Sequence, residues 1–491
     1  MSARRRAWLV AVGGFALWAA VGMALFVWLA ARTYRWGFPL DDAWIHQTYA
    51  RNLALWGEWA YRPGAPSAGA TAPLWVLLQA MGQVLGVSPL VWSAGLGWAT
   101  LTGLSVAAWA WWRRVFPQWD GVWPWAAGAV MGAAWHLVWA ALSGMETLLF
   151  AAGMFVLALW AGEGWRDKRQ AWLWGAAVGV MAWVRPEAIL LLGVALAVEV
   201  AVARTWREAV KMVAGFAVVF LPYLALNYAL AGHPWPNTFY AKQAEYAALR
   251  RLPWVRRAWR VGAPLLVGGG ALLLPTGVWH AMAQAREGRW RRWIAPVWAV
   301  GHVGAYVVRL PVAYQHGRYV LPVLPVLLWF GLAGGAGLWS AWEGRLTGRW
   351  VVSRLWAAAL AVTMGGFLVL GGRAYAQDVA LIESEMVDTA QWMAVHLPPH
   401  TVVAAHDIGA VGYFTPFPLV DMAGLVSPQV IPFIRDEAAL RAFLDRQGVE
   451  VLVVFPHWYR HLATGLPVLY FNPQGWGPRL GGEHMMVYRW R

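Results

Sequence analysis

Two carboxylates, Asp41 and Asp42, stand side by side in Gly37-Phe38-Pro39-Leu40-Asp41-Asp42-Ala43-Trp44, just past the end of the first long apolar stretch. Ionised groups at a bilayer boundary are costly and usually face a cavity or a partner. The chain has only 24 Asp and Glu in 491 residues to place. Such a pair can act as a base, as an electrostatic clamp or as an anchor for a cation; its plainer reading is the N-cap of a helix. Four further polar sets interrupt the apolar sequence: Ser143-Gly144-Met145-Glu146, Arg185-Pro186-Glu187, Pro236-Asn237-Thr238-Phe239-Tyr240-Ala241-Lys242 and His316-Gly317-Arg318-Tyr319. Arg318 precedes a long apolar run, and a planar guanidinium there suits a phosphate. Lys242 is either a second such cation or a side chain snorkelling to the interface. Glu146 and Glu187 can line a polar site, cap helices or pair with Arg185, and Pro186 is at home in the first turn of a helix. His46 and His316 could join the carboxylates around a divalent cation, although spacing fixes no such geometry. His136 and His302 fall inside apolar runs and read as hydrogen-bonded core histidines.

Helices in a membrane have to position these groups. Apolar residues make up 60% of the chain and charged ones 13%, and long apolar runs repeat along it, as in a polytopic helical membrane protein. The net charge of +15 is carried by arginines in short loops between those runs, the pattern of cytoplasmic loops, so no nucleic-acid partner is implied. Many of the 40 Trp residues lie near run ends, where the ring suits the headgroup layer. The absence of Cys removes disulfides, thiolate catalysis and Cys-ligated metals.

Arg4-Arg5-Arg6 precede an apolar stretch of about 24 residues, too long for a signal-peptide core, so a retained first helix with a cytoplasmic N-terminus is expected. Ten later spans are expected near 90–112, 122–142, 147–162, 171–184, 187–203, 210–231, 261–284, 293–310, 319–341 and 351–372. With the basic loops at 113–114, 166–169, 204–211, 286–292 and 345–354 held cytoplasmic, eleven crossings result and the tail lies outside. Residues 73–87 are too few to cross and read as an interfacial or re-entrant helix. Arg250, Arg251, Arg256, Arg257 and Arg260 fit poorly, because they fall in an outer loop; they read as an interfacial amphipathic stretch.

The expected organisation is a transmembrane domain over 1–372, with a first outer loop over 32–89, and an extracytoplasmic soluble α/β domain over 373–491. Strand-like runs at 401–405, 450–455 and 485–490, with a helical pattern at 436–447, support the latter. This topology puts all five polar sets on the outer side, which predicts one polar site roofed by the outer loops. Trp44, Ile45, Tyr49, Leu53 and Trp56 recur at helical spacing with His46, Gln47, Arg51 and Asn52 between them. That predicts an amphipathic helix lying on the membrane, whose dipole would favour ionised Asp41 and Asp42 at its N-terminus.

The stretches Leu40-Asp41-Asp42-Ala43-Trp44-Ile45-His46, Tyr49-Ala50-Arg51-Asn52-Leu53, Pro63-Gly64 and Thr71-Ala72-Pro73-Leu74-Trp75 resemble the first outer loop of GT-C glycosyltransferases, bacterial terminal arabinofuranosyltransferase-type enzymes among them. The later sets resemble that group too, as do His406-Asp407-Ile408-Gly409-Ala410-Val411-Gly412-Tyr413-Phe414 and Val420-Asp421-Met422-Ala423-Gly424-Leu425 in the tail. The resemblance implies a cell-membrane enzyme of cell-envelope biogenesis that transfers a pentose or hexose from a polyprenyl-phosphate donor to an extracytoplasmic glycan, lipid or protein, with inversion. It implies a first-loop Asp as catalytic carboxylate, which here means Asp41 or Asp42, with Asp41 preferred as base and Asp42 orienting the acceptor or binding a cation. Arg318, Lys242 and Arg185 are then expected on the donor phosphate, and His46, Glu146, Glu187, Asn237, Tyr240, His316, His406 and Asp407 around the substrates. No cofactor is required beyond an optional divalent cation. A transporter or lipid flippase is the alternative from another class, against which stand the absence of internal repeats and the crowding of polar residues on one side.

Overall fold

The computed structural model describes residues 2–167, 169–202, 204–341 and 348–491. The chain is mainly helical because its apolar runs are long and unpunctuated. Among the described residues, five helical stretches are long and apolar enough to cross a membrane: Arg4–Thr33, Pro89–Val115, Trp206–Ala231, Tyr314–Ala341 and Trp350–His396. Shorter apolar helices, including Thr147–Gly162 and Gln170–Val184, pack among them. Close approach of these helices depends on small residues. Gly175 and Gly215 face each other's helices, and a Cβ on either would overlap the carbonyl of Met212 or Trp172.

Two expected spans are broken. The run at 122–142 bends by 53° between Val122–Ala133 and Trp135–Leu142, where Ala134 is extended. The run at 261–284 is split by a 102° bend between Trp254–Leu266 and Gly270–Arg286. Three successive glycines mark that break, and Gly268 has φ +84°, a conformation that hydropathy cannot register but glycine supplies cheaply. The basic loop at 345–354 lies partly outside the described residues.

After the first helix, α1 (Ala3–Thr33), the chain forms α2 (Asp42–Trp56), a small hairpin of β1 (Ala60–Arg62) and β2 (Ala65–Pro66), and α3 (Pro73–Val84). The 12-residue α3 is too short to cross a bilayer. The expectation that α2 lies on a membrane surface with one face in water is overturned. His46, Gln47, Thr48 and Asn52 are buried along with Trp44, Ile45 and Tyr49. Gln47 donates to Gln79 of α3 at 2.9 Å, and Asn52 donates to the carbonyls of Ala60 and Tyr61 at 2.9 and 3.0 Å. The polar residues between the apolar ones thus serve buried hydrogen bonds rather than solvent.

The last long helix, Gly348–Leu381, continues through a π-helical turn at Ile382–Val387 into Asp388–His396, so the expected boundary at 372 falls in unbroken helix. A π turn shifts the helix face by one residue, and here it points Glu385 at the terminal segment. Glu385 accepts the amides of Gly477 and Met485 at 2.8 and 2.9 Å. The terminal sheet comprises β3 (Val403–Ala405), β4 (Leu419–Asp421), β5 (Val451–Val454), β6 (Val468–Tyr470) and β7 (Met486–Arg489), in the order β4-β3-β5-β7-β6. β3 is parallel to β4 and β5, whereas β7 is antiparallel to β5 and β6. Three of these strands and the helix Glu437–Arg446 lie where the sequence pattern puts them. Asp436 caps that helix, accepting from the amides of Ala438 and Ala439. The sequence pattern does not mark β4 and β6.

Candidate functional site

The site forms where the start of α2, the helix Asn237–Glu245, the turn before Leu321 and the first β-strand of the terminal sheet meet. Asp42 is the first residue of α2 and points away from its axis into this meeting point. Its carboxylate takes a hydrogen bond from the Arg318 guanidinium and lies 3.6 Å from Lys242 Nζ. Both cations also reach the Tyr319 hydroxyl, Lys242 at 3.0 Å and Arg318 at 3.2 Å. Burial opposes ionisation of Asp42, but Lys242 and Arg318 outweigh it and hold the carboxyl well below the usual carboxylate range. Asp42 is the more open of the first-loop pair, with 31% of its side chain exposed.

Asp41 turns the other way. Its two oxygens accept the backbone amides of Gly409 at 2.6 Å and Ala410 at 2.7 Å. These amides open the short helix Gly409–Phe414, so the helix start that holds Asp41 belongs to the terminal segment and not to α2, as the sequence suggested. Asp41 sits at the start of α2 without capping it. Gly409 is required by the contact, because a Cβ there would run into the Asp41 carbonyl. Burial and the facing Asp407 carboxyl push Asp41 upward against the pull of the two amides, and burial pushes Asp407 upward as well. The expected lowering of both first-loop carboxyls therefore applies to Asp42 alone.

A second group lies beside the first and is largely buried. Arg185 reaches Glu146 at 3.5 Å, Glu187 at 3.3 Å and the Tyr306 hydroxyl at 3.1 Å, and its guanidinium stacks over the Tyr319 ring. Its charge is thus already met by two glutamates rather than aimed at the Asp42 centre. His46 Nε2 stands 3.6 Å from Glu146 Oε2. Glu146 is held beneath α2 by the turn at Gly144, which has φ +71° and whose carbonyl accepts from Trp75 Nε1 at 2.9 Å. His46 Nδ1, Glu146 Oε2, Glu187 Oε2, Asn237 Oδ1 and Arg318 Nη1 are buried with no protein partner. Buried polar groups are normally satisfied, and these five atoms lack a hydrogen bond among the described residues.

From the terminal segment, His406 bonds to the Tyr459 hydroxyl at 2.6 Å and lies 3.5 Å from Glu245. Burial opposes its charge, but Glu245 and Asp407 raise its imidazole above the usual value. Asn237 donates to the Leu425 carbonyl at 3.1 Å, tying the Lys242 helix to the same roof. Two expected members lie elsewhere. Tyr240 packs on the His233 ring, and His316 pairs with Asp378 at 2.7 Å. The reason for the latter is local: Gln315, His316 and Gly317 all have φ between 53° and 72°, a tight reversal that sends His316 and Arg318 in different directions. Glu245 and Tyr319 were not singled out from sequence. Glu245 lies three residues after Lys242 on one helix face, a signal that was available; Tyr319 had only its place beside Arg318. Among the described residues, no three His, Asp or Glu side chains converge so as to hold a metal ion. The groups that meet Asp42 are the cations Arg318 and Lys242.

The same arrangement of helices is known. ArnT from Cupriavidus metallidurans bound to undecaprenyl phosphate superposes with a TM-score of 0.60, at 16% identity, over 97% of this chain and 98% of that one. The oligosaccharyltransferase of Archaeoglobus fulgidus in its apo form gives a TM-score of 0.59 at 12% identity, over 91% of this chain and 69% of that one. The chain has the GT-C fold. A third structure, the Archaeoglobus fulgidus oligosaccharyltransferase AglB in complex with an inhibitory peptide and a dolichol-phosphate, has a TM-score of 0.51 at 11% identity, over 89% and 69% of the two chains. In sequence, residues 374–488 match a domain of unknown function, DUF8728. No curated protein matches the chain. Within the GT-C fold, the Asp42 centre lies between the helices and the terminal sheet, where the segment between α1 and α3 meets that sheet.

Proposed function

We propose that this protein is a membrane glycosyltransferase that transfers a sugar from a polyprenyl-phosphate donor to an extracytoplasmic acceptor. One observation carries the reading: a half-open carboxylate, Asp42, shares two cations, Arg318 and Lys242, at a roofed polar site. An anionic leaving group needs such cations, and an acceptor hydroxyl needs such a carboxylate. The complexes of GT-C proteins with undecaprenyl phosphate and dolichol-phosphate support a lipid phosphate as the donor's carrier.

On this reading the donor phosphate takes Arg318 and Lys242. Asp42, relieved of their charge, becomes more basic and accepts the acceptor's proton. The acceptor oxygen bonds to the anomeric carbon as the carbon–oxygen bond to phosphate breaks, and the electron pair leaves on the phosphate. A single displacement inverts the anomeric centre. Asp41, engaged by two amides, holds the Asp42 loop against the terminal segment, so on this reading Asp42 and not Asp41 is the base. His46, Glu146, Glu187 and Asn237 offer their unpartnered atoms to the sugar, while His406 and Asp407 face the acceptor side. Eleven crossings with residues 373–491 outside are part of this proposal. No step needs a divalent cation, and transfer is expected to persist in EDTA.

The test is transfer by the purified protein in lipid nanodiscs, with a panel of polyprenyl-phosphate pentoses and hexoses. Asp42→Asn is expected to lower kcat by about 100-fold or more with the fold intact. Undiminished transfer by that variant, or none by the wild type across the panel, would sink the reading.

A further inference from the structure

The arginine-rich stretch that fits the topology poorly has a structural setting that the transfer chemistry does not use. Residues Trp254–Gly262 form an amphipathic helix. Trp254, Val255 and Trp259 stand exposed at 54, 74 and 67%, an apolar face suited to lying in the headgroup region. Arg256, Arg257 and Arg260 are interleaved with them, and none forms an ion pair with a carboxylate among the described residues. A cavity of about 620 Å³ opens between this helix, the bend at Ala134 and the reversal before Arg318. Arg256, Arg260, Trp259, Trp135, His136 and His316 line it, and no acidic residue does.

The unmet hydrogen bonds gather here as well. Trp135 Nε1, His136 Nε2 and Arg260 Nε, from residues that line the cavity, have no partner among the described residues. His136 is therefore not the hydrogen-bonded core histidine expected from sequence; His302, which bonds the Tyr319 carbonyl at 2.9 Å, is. The site is separate from the Asp42 centre. The strained reversal at 315–317 divides them, with His316 on the cavity side, paired to Asp378, and Arg318 on the other.

We propose that this cavity binds an anionic amphiphile, its phosphate-bearing headgroup held by Arg256 and Arg260 and its hydrocarbon chain leaving over Trp259 towards the bilayer. Two guanidinia without carboxylate partners match a phosphate. The apolar wall and the exposed face of the helix match a chain. A free phosphate would satisfy the arginines but leave the apolar wall unused.

Binding is measured on the full-length protein in detergent with dioctanoyl-phosphatidylglycerol, by titration calorimetry and native mass spectrometry. The expected result is one retained lipid, with affinity lowered about tenfold or more in Arg256→Gln/Arg260→Gln. Arg250→Gln/Arg251→Gln removes the same charge from an exposed stretch and is expected to change nothing. Arg256→Lys/Arg260→Lys keeps the charge and reports whether loss in the Gln variant comes from misfolding: retained binding by Lys together with loss by Gln supports the site. Equal affinity in the Gln variant, equal affinity for dioctanoyl-phosphatidylcholine, or displacement by inorganic phosphate at the lipid's own concentration would overturn it. Transfer is not measured, so a negative result leaves the proposed reaction standing.

Discussion

At the scale of single residues, the two adjacent aspartates have opposite surroundings, and this separates their expected phenotypes. Asp42 meets two cations and is partly open; Asp41 meets two backbone amides and is buried. Asp41→Asn keeps one acceptor oxygen but turns an amide NH2 towards a backbone N–H. The expected loss is about 1–3 kcal/mol of stability, seen as a lowered Tm, with the remaining folded protein still transferring sugar. The reverse pattern, full stability and no transfer, would return the reacting role to Asp41. Arg318→Lys preserves charge but loses the planar fork that can hold both a carboxylate and a phosphate. It is expected to raise KM for the donor more than it lowers kcat, and steady-state kinetics with varied donor would check this. The sequence made Asp41, Asp42, Lys242 and Arg318 legible because ionised groups are rare in this chain. It could not show which carboxylate faces the cations, since that depends on the direction each side chain takes from the start of α2.

At the scale of elements, the segment between α1 and α3 meets the terminal segment where two carboxyls, Asp41 and Asp407, repel one another. Asp41 and Asp407 are both raised above the usual carboxylate range by burial, and Asp41 by Asp407 as well. A carboxyl whose pKa is higher in the folded protein than in the unfolded chain favours folding at low pH and loses that advantage as pH rises through the raised value. The wild-type Tm is therefore expected to fall as pH rises from about 5 to about 9, and Asp407→Asn to flatten that fall. A thermal-shift series across pH would measure both; identical slopes would show that the two carboxyls do not interact. Helix periodicity located α2 correctly but misjudged its surroundings. Its polar residues proved to be buried partners for Gln79, Ala60 and Tyr61, and an alternation of apolar and polar residues looks the same whether the polar side meets water or protein.

At the scale of the whole molecule, topology is open to direct measurement because the chain has no Cys. A single Val395→Cys, at a position 79% exposed near the end of the last long helix, is expected to react with a membrane-impermeant maleimide from outside intact cells. Arg166→Cys is expected to react only after permeabilisation, and the opposite labelling would invert the proposed orientation. Composition and the apolar runs determined a mainly helical chain with stretches long and apolar enough to cross a membrane, and the strand-like runs a small sheet-bearing unit at its end, since those features follow from local hydrophobicity and period. The resemblance of short stretches to GT-C enzymes anticipated the fold. What only the tertiary structure decided was the set of meetings between distant segments: Asp42 with Arg318, Asp41 with Gly409 and Ala410, Arg185 with two glutamates. The breaks at Ala134 and Gly268 and the reversal before Arg318 were equally hidden. Each turns on a few backbone angles that leave the average hydrophobicity of the surrounding run unchanged, yet they set which polar groups share a site.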